Sequence, residues 1–209
     1  QISPWKDKMA FKGGTSLSKA YHAIERFSED IDLIMDWRLL GYSADEPWKE
    51  RNATRQNQFN MEANRQCTEL LAREFVPALS QSVKGLTSEE IGIEANGQNV
   101  LITYPHSFSL SAILPQIKLE IGPLAAWVPR EEKEIRSYAA EKFPDLFSQP
   151  STNVSTVAAE RTFWEKATIL HQEAHRPPGS RLPSRYSRHY YDFYRLSRSP
   201  IRDKALAQF

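Results

Sequence analysis

A single cysteine in 209 residues, Cys67, excludes an internal disulfide and a cysteine-built metal cluster, so the fold must stand without covalent staples and suits a reducing cytoplasm. Leu70 and Leu71 follow it at helical spacing and no histidine lies near it, which makes Cys67 a packing residue. No apolar run approaches the ~20 residues of a membrane span. Gln1 to Ala10 lack the basic start and apolar block of a secretory signal. A cytoplasmic location with no membrane partner is therefore expected. Internal repeats and low-complexity tracts are missing too, which excludes solenoids and arrays. The five histidines make no metal signature: His171 and His175 stand i, i+4, but no third ligand has the spacing that zinc needs.

What is present is ordinary globular material, 40% hydrophobic and 25% charged, long enough for one domain or for one domain with a helical appendage. The expected division is 1–125 as a core and 126–209 as a mostly helical part. Net charge is only +1, yet Arg161 to Phe209 carry ten Lys/Arg against four Asp/Glu. A basic C-terminal quarter can collect phosphates or nucleic acid at long range, or be a solvated surface.

The segment Met9 to Tyr21 opens with a short apolar stretch, turns at Gly13-Gly14, and continues with Leu17, Ala20, Tyr21 and Ile24 at a 3.6-residue period. It predicts strand, tight turn and a helix capped by Thr15 or Ser16 that fades at Phe27-Ser28. In Asp30-Ile31-Asp32-Leu33-Ile34-Met35 the alternation predicts a strand with both aspartates on one face. A helix is expected from Lys49 to Leu79, closed by Pro77. A hairpin is expected from Ile91–Glu94 and Val100–Tyr104 around Asn96-Gly97, and a strand from Pro115 to Ile121 with Gln116, Lys118 and Glu120 on one side. Further helices are expected over Ile135–Phe143, Ala158–His175 and Arg185–Leu196, with a loop from Arg176 to Ser184.

One constellation carries chemistry. Nucleotidyl transfer needs an in-line geometry, metal ions on phosphate oxygens, and positive charge where negative charge accumulates. Magnesium takes oxygen ligands, and two carboxylates ~6.5–7 Å apart at Cα on one strand face can converge on it. Asp30 and Asp32 have that placement, and Glu120 on another strand is the best third carboxylate by pattern. Gly13-Gly14-Thr15-Ser16 supplies the phosphate end, because glycines let backbone N–H groups approach an anion and the hydroxyls add donors. Each element is weak alone; the force lies in the order of strand, Gly-Gly turn, helix, then Asp-x-Asp. Lys166 reads either as a point charge on a triphosphate or as a lysine snorkelling past Phe163 and Leu170 to water. Asp192 reads as a holder of Lys166 or of another basic side chain, or as a surface partner of Arg188. The aromatic and basic run Tyr186, Tyr190, Tyr191, Phe193, Tyr194 with Arg185, Arg188, Arg195 and Arg198 either stacks on RNA or packs on the core.

Phe11-Lys-Gly-Gly-Thr-Ser-Leu-Ser-Lys-Ala-Tyr followed by Arg26-Phe-Ser-Glu-Asp-Ile-Asp-Leu resembles the first motif of the AbiEii/AbiGii toxin nucleotidyltransferases, within the DNA polymerase beta-type superfamily. Glu160-Arg-Thr-Phe-Trp-Glu-Lys-Ala-Thr-Ile-Leu-His and Arg185-Tyr-Ser-Arg-His-Tyr-Tyr-Asp-Phe-Tyr are similar to its later motifs, so the resemblance reaches from about Phe11 to Leu196. It implies an α+β fold with a mixed sheet, flanking helices and a helical C-terminal part. It implies Mg²⁺, or Mn²⁺ in its place, with a nucleoside triphosphate as substrate, and a toxin–antitoxin or phage-defence setting with a cognate antitoxin. By similarity Asp30 and Asp32 are metal ligands, Gly14 and Thr15 hold the triphosphate, and Lys166 and Asp192 match the later catalytic positions. Thr15 replaces the superfamily's usual serine and keeps the hydroxyl. Some relatives modify the tRNA 3′ end, which makes RNA the expected acceptor; a small-molecule or protein acceptor, or an inactive nucleotide-binding module, are the alternatives.

Overall fold

The computed structural model describes residues 5–28, 30–85, 89–105, 115–124, 127–181 and 183–207. In chain order its regular elements are β1 (Met9–Lys12), α1 (Gly13–Lys19), β2 (Ile31–Met35), α2 (Ala53–Leu70), α3 (Val76–Lys84), β3 (Gly92–Asn96), β4 (Asn99–Thr103), β5 (Gln116–Gly122), β6 (Arg130–Arg136), α4 (Tyr138–Lys142), β7 (Ser151–Val157), α5 (Ala159–Ala174), α6 (Ser187–Ser197) and α7 (Pro200–Ala207). The protein is α+β, as expected, with a mixed sheet and helices. No described helix is long and apolar enough to cross a membrane.

The chain folds as two compact units, 1–11 with 29–127, and 12–28 with 128–209. The glycine turn and the segment after it, which the sequence reading assigned to the first part of the chain, group with the second unit.

In the first unit the strands run in the order β3-β4-β5-β2-β1. β2 and β5 are parallel, with Ile31 opposite Leu119 and Asp32 opposite Glu120, while β4 lies antiparallel to β5. Because side chains alternate, Met35, Leu119, Ile121 and Val100 point to one face, where they pack with Cys67, Leu71 and Phe75 into a core cluster. Cys67 is buried as expected, and burial pushes its thiol up to about 11. Asp32 and Glu120 point to the other face. The long helix departs from expectation at Pro77: α2 passes into a π turn over Leu71–Phe75 and α3 continues through the proline to Lys84. The wide turn puts Pro77 in the first turn of the next segment, where its missing N–H costs little. The hairpin forms with Asn96 opposite Asn99, so its two-residue turn is Gly97-Gln98, with Gly97 at φ +63°.

In the second unit β6 and β7 pair antiparallel from Arg130–Val157 to Arg136–Ser151. The expected helix over 135–143 is therefore half strand: β6 takes Ile135 and Arg136, and α4 holds only Tyr138–Lys142. Leu17, Ile24, Ala159, Phe163, Leu196 and Ala205 form this unit's core. The helix opens on the two glycines themselves, with Lys12 and not Thr15 or Ser16 at its N-cap, and it is shorter than its periodicity implies. α1 stops at Lys19, and His22 takes a left-handed φ of +50°. Ile24 still reaches the core, from non-helical backbone, so the apolar spacing marked burial and not helix.

Candidate active site

The first unit carries an acidic face. β2 and β5 run parallel and in register, which sets Asp32 and Glu120 directly opposite on neighbouring strands, ~4.8 Å apart in the sheet, with Asp30 two residues before Asp32 on the same side. Lys118, also on that side, reaches into the group. Its ammonium lies 2.5 Å from Glu120 Oε1 and 3.2 Å from Asp30 Oδ2. Burial alone lowers the Lys118 pKa, but hydrogen bonds to Glu120 and Asp30 outweigh it, so the side chain is held as a cation. Among the described residues no three His, Cys, Asp or Glu side chains close into a metal-ligand group. Their carboxylate oxygens are nevertheless the hard donor type that Mg²⁺ takes, with the Lys118 ammonium in competition for two of them. Asp30, Asp32 and Glu120 supply donors of that type, and the alternation that puts Lys118 on the Glu120 face did not show its pairing with both Glu120 and Asp30.

The second unit carries a basic cluster, built around a buried carboxylate. Asp192, on α6, is 0% exposed. It accepts hydrogen bonds from Arg26 Nε at 2.6 Å and from Arg26 Nη2 at 2.7 Å, the parallel fork that guanidinium makes best. Lys166 Nζ stands 3.5 Å from its second oxygen and 3.2 Å from His189 Nδ1. Lys166 is itself 6% exposed, so the snorkelling alternative is overturned: one turn of α5 aims it inward, toward α6. The surface pairing of Asp192 with Arg188 is overturned as well. Burial and the neighbouring ammonium hold the His189 pKa below its ordinary value, leaving a neutral ring able to accept from Lys166. Among the described residues two cations, Arg26 and Lys166, stand on this one anion, a net positive charge.

The glycine turn sits in the same unit. Gly13 takes φ +73°, a conformation that glycine adopts freely. At Gly14 the missing side chain has a specific neighbour: a Cβ there would lie 2.5 Å from Arg26 Nη2 and 3.2 Å from Ser28 Oγ. The second glycine thus makes room for a guanidinium. Ser16 is buried and its hydroxyl donates to the Gly13 carbonyl at 2.9 Å, so it locks the turn from inside; Thr15 is the half-buried hydroxyl of the pair.

Sequence reasoning singled out Gly14, Lys166 and Asp192, and the fold groups them; it missed Arg26 and His189. Arg26 lies inside the quoted motif, seven residues after Lys19, and only its two-pronged fit to a buried carboxylate marks it. On α6 the aromatic run divides. Phe193 and Tyr191 pack against the core, while Tyr190 and Tyr194 are exposed, with the Arg198 guanidinium 5.4 Å from the Tyr194 ring. His171 and His175 stack on one another, and His175 Nδ1 pairs with the His171 carbonyl.

No curated protein and no solved structure matches the chain. One family model does, over residues 1–209: nucleotidyl transferase AbiEii toxin, type IV toxin–antitoxin system. With a match along its whole length, the chain belongs to the AbiEii family of nucleotidyltransferase toxins.

Proposed function

We propose that the protein is a Mg²⁺-dependent nucleotidyltransferase of the polymerase beta type. In this reading it moves a nucleotidyl group from a nucleoside triphosphate to an RNA acceptor, a tRNA 3′ end above all. The observation that carries the reading is the pairing, within one chain, of an all-oxygen carboxylate face with a buried cluster of net positive charge beside a glycine turn. Asp30, Asp32 and Glu120 would hold the metal, which supplies charge neutralisation at the reacting phosphate and at the leaving group. Lys166 and the Gly13-Gly14-Thr15 turn would take the triphosphate, with Asp192 fixing the lysine. The acceptor hydroxyl then attacks the α-phosphorus, an oxygen–phosphorus bond forms, and the bond to the departing pyrophosphate breaks. The acceptor's proton passes to a carboxylate of the β2 and β5 face.

RNA is favoured over a small acceptor by the basic C-terminal quarter and by the exposed Tyr190, Tyr194 and Arg198, which fall on one side of α6 at i, i+4, i+8. Membership of a type IV system makes a cognate antitoxin the natural regulatory partner.

The test is transfer of radiolabel from each of the four nucleoside triphosphates to total RNA with Mg²⁺. Wild type should label an RNA species that an Asp30→Ala/Asp32→Ala variant does not. If neither RNA, protein nor small molecules are labelled by wild type above that variant, the catalytic reading fails.

A further inference from the structure

We infer that Arg26 is a positioning residue of the triphosphate half-site, acting through Asp192 on Lys166 and through Gly14 on the glycine turn. The inference deepens the proposed function and rests on it.

Three observations converge. The first is that Arg26 spends both prongs of its fork on a carboxylate with no exposure to water, at 2.6 and 2.7 Å. A buried carboxylate is costly unless paired and hydrogen-bonded, so Asp192 must be neutralised by some cation. With Arg26 present it is satisfied by the guanidinium, and Lys166 stands farther off at 3.5 Å. Its ammonium is then oriented by Asp192 without being consumed by it. Without Arg26, the other cation on Asp192 among the described residues is Lys166. The lysine would be drawn into a close pair, and the cluster would fall from a net positive charge to neutrality.

The second observation is steric. Arg26 Nη2 occupies the space of a Gly14 side chain, 2.5 Å from the ideal Cβ. The glycine and the arginine are thus two halves of one fit. The third is that the Arg26 side chain retains 22% of its exposure while Asp192 has none, so the fork lies between the buried anion and the surface of the turn. A lone structural ion pair needs neither a glycine opposite it nor a second cation on the same carboxylate.

The experiment is a double-mutant cycle of Gly14→Ala and Arg26→Met, read as binding of inorganic tripolyphosphate with Mg²⁺ by calorimetry. This probe is common to all four nucleotides. Thermal melts report folding of each variant. Arg26→Met should weaken binding about tenfold, the cost of losing a charge-assisted contact's organising effect. Arg26→Lys, which restores the charge but not the fork, should recover part of the loss. In wild type Gly14→Ala should weaken binding by about as much, and in the Arg26→Met background it should cost little, because the obstructing guanidinium is gone.

Turnover should separate the role from mere folding: in folded Arg26→Lys, KM for the triphosphate rises more than kcat falls. Additive effects of Gly14→Ala and Arg26→Met, or unchanged tripolyphosphate affinity in folded Arg26→Met, overturn the inference while leaving the proposed function standing. A wild type that binds neither tripolyphosphate nor any nucleoside triphosphate overturns both.

Discussion

The two charged clusters, one on each unit, hold their charges by opposite means. On the first unit the carboxylates stand on a sheet face with side chains partly in water, Asp30 at 26% and Glu120 at 44%, and a single ammonium between them. On the second, Asp192 has no exposure and is clasped by a bidentate guanidinium. Exposed ion pairs are worth little to stability, whereas breaking a buried one leaves a charge with nowhere to go. The contrast predicts that the exposed carboxylates tolerate loss structurally and that the buried cluster does not.

That comparison can be broken. The largest effect is expected at the acidic face, where Asp32→Asn should cut nucleotidyl transfer by about a thousandfold or more while the melting temperature stays within a degree or two, as activity assay and calorimetry on one sample would show. A large drop in thermal stability would mean that the face is structural. Asp192→Ala should do the reverse first. Leaving Arg26 and Lys166 without their shared anion should cost about 3–5 kcal/mol in urea unfolding, against less than about 1 kcal/mol for Asp30→Asn.

A smaller effect should appear with pH. His189 is depressed below its ordinary value by burial and by Lys166, so below about pH 6.5 the unfolded chain takes up a proton that the folded chain refuses. Stability should be complete above that pH and should decline as the pH falls from it, and His189→Gln, which keeps an acceptor for Lys166, should flatten melting temperature between pH 5 and 7. The smallest effect concerns Lys118. Removing its ammonium as Lys118→Met should raise Mn²⁺ affinity a few-fold, about threefold, in a titration without nucleotide, because one positive charge no longer competes for Asp30 and Glu120. Tighter Mn²⁺ binding by wild type than by Lys118→Met would show that the lysine does not share the metal's donors.

Much of the acidic half was legible because a strand's period of two fixes which side chains share a face. Asp30, Asp32 and the alternation of Gln116, Lys118 and Glu120 all followed from it, and the parallel register supplied the remainder. The basic half was legible only in pieces. Lys166 and Asp192 stood out by resemblance, yet a lysine on an apolar helix stripe has the same local pattern whether it reaches water or a buried acid. Arg26 pairs with a residue 166 positions away, a separation that no local periodicity encodes. Secondary structure failed where chemistry was unusual for its element. β6, Arg130 to Arg136, carries six charged side chains and one apolar residue, so its ladder with β7 has no hydrophobic alternation to announce it. Tyr21 to Ile24 failed the other way, with apolar residues that reach the core from backbone that has left the helix.

The path of the chain has a practical consequence. It passes between the two units at 11–12, 28–29 and 127–128, so neither unit is one continuous stretch of sequence. A truncation after Trp127 would keep the glycine turn and Arg26 but discard Asp192, stranding an arginine whose partner is gone. Conversely, a fragment beginning at Val128 would carry Asp192 and Lys166 with no guanidinium to share them. A single cut at 127–128 therefore does not separate the units, and complementation by two such fragments would require each to supply half of one ion pair.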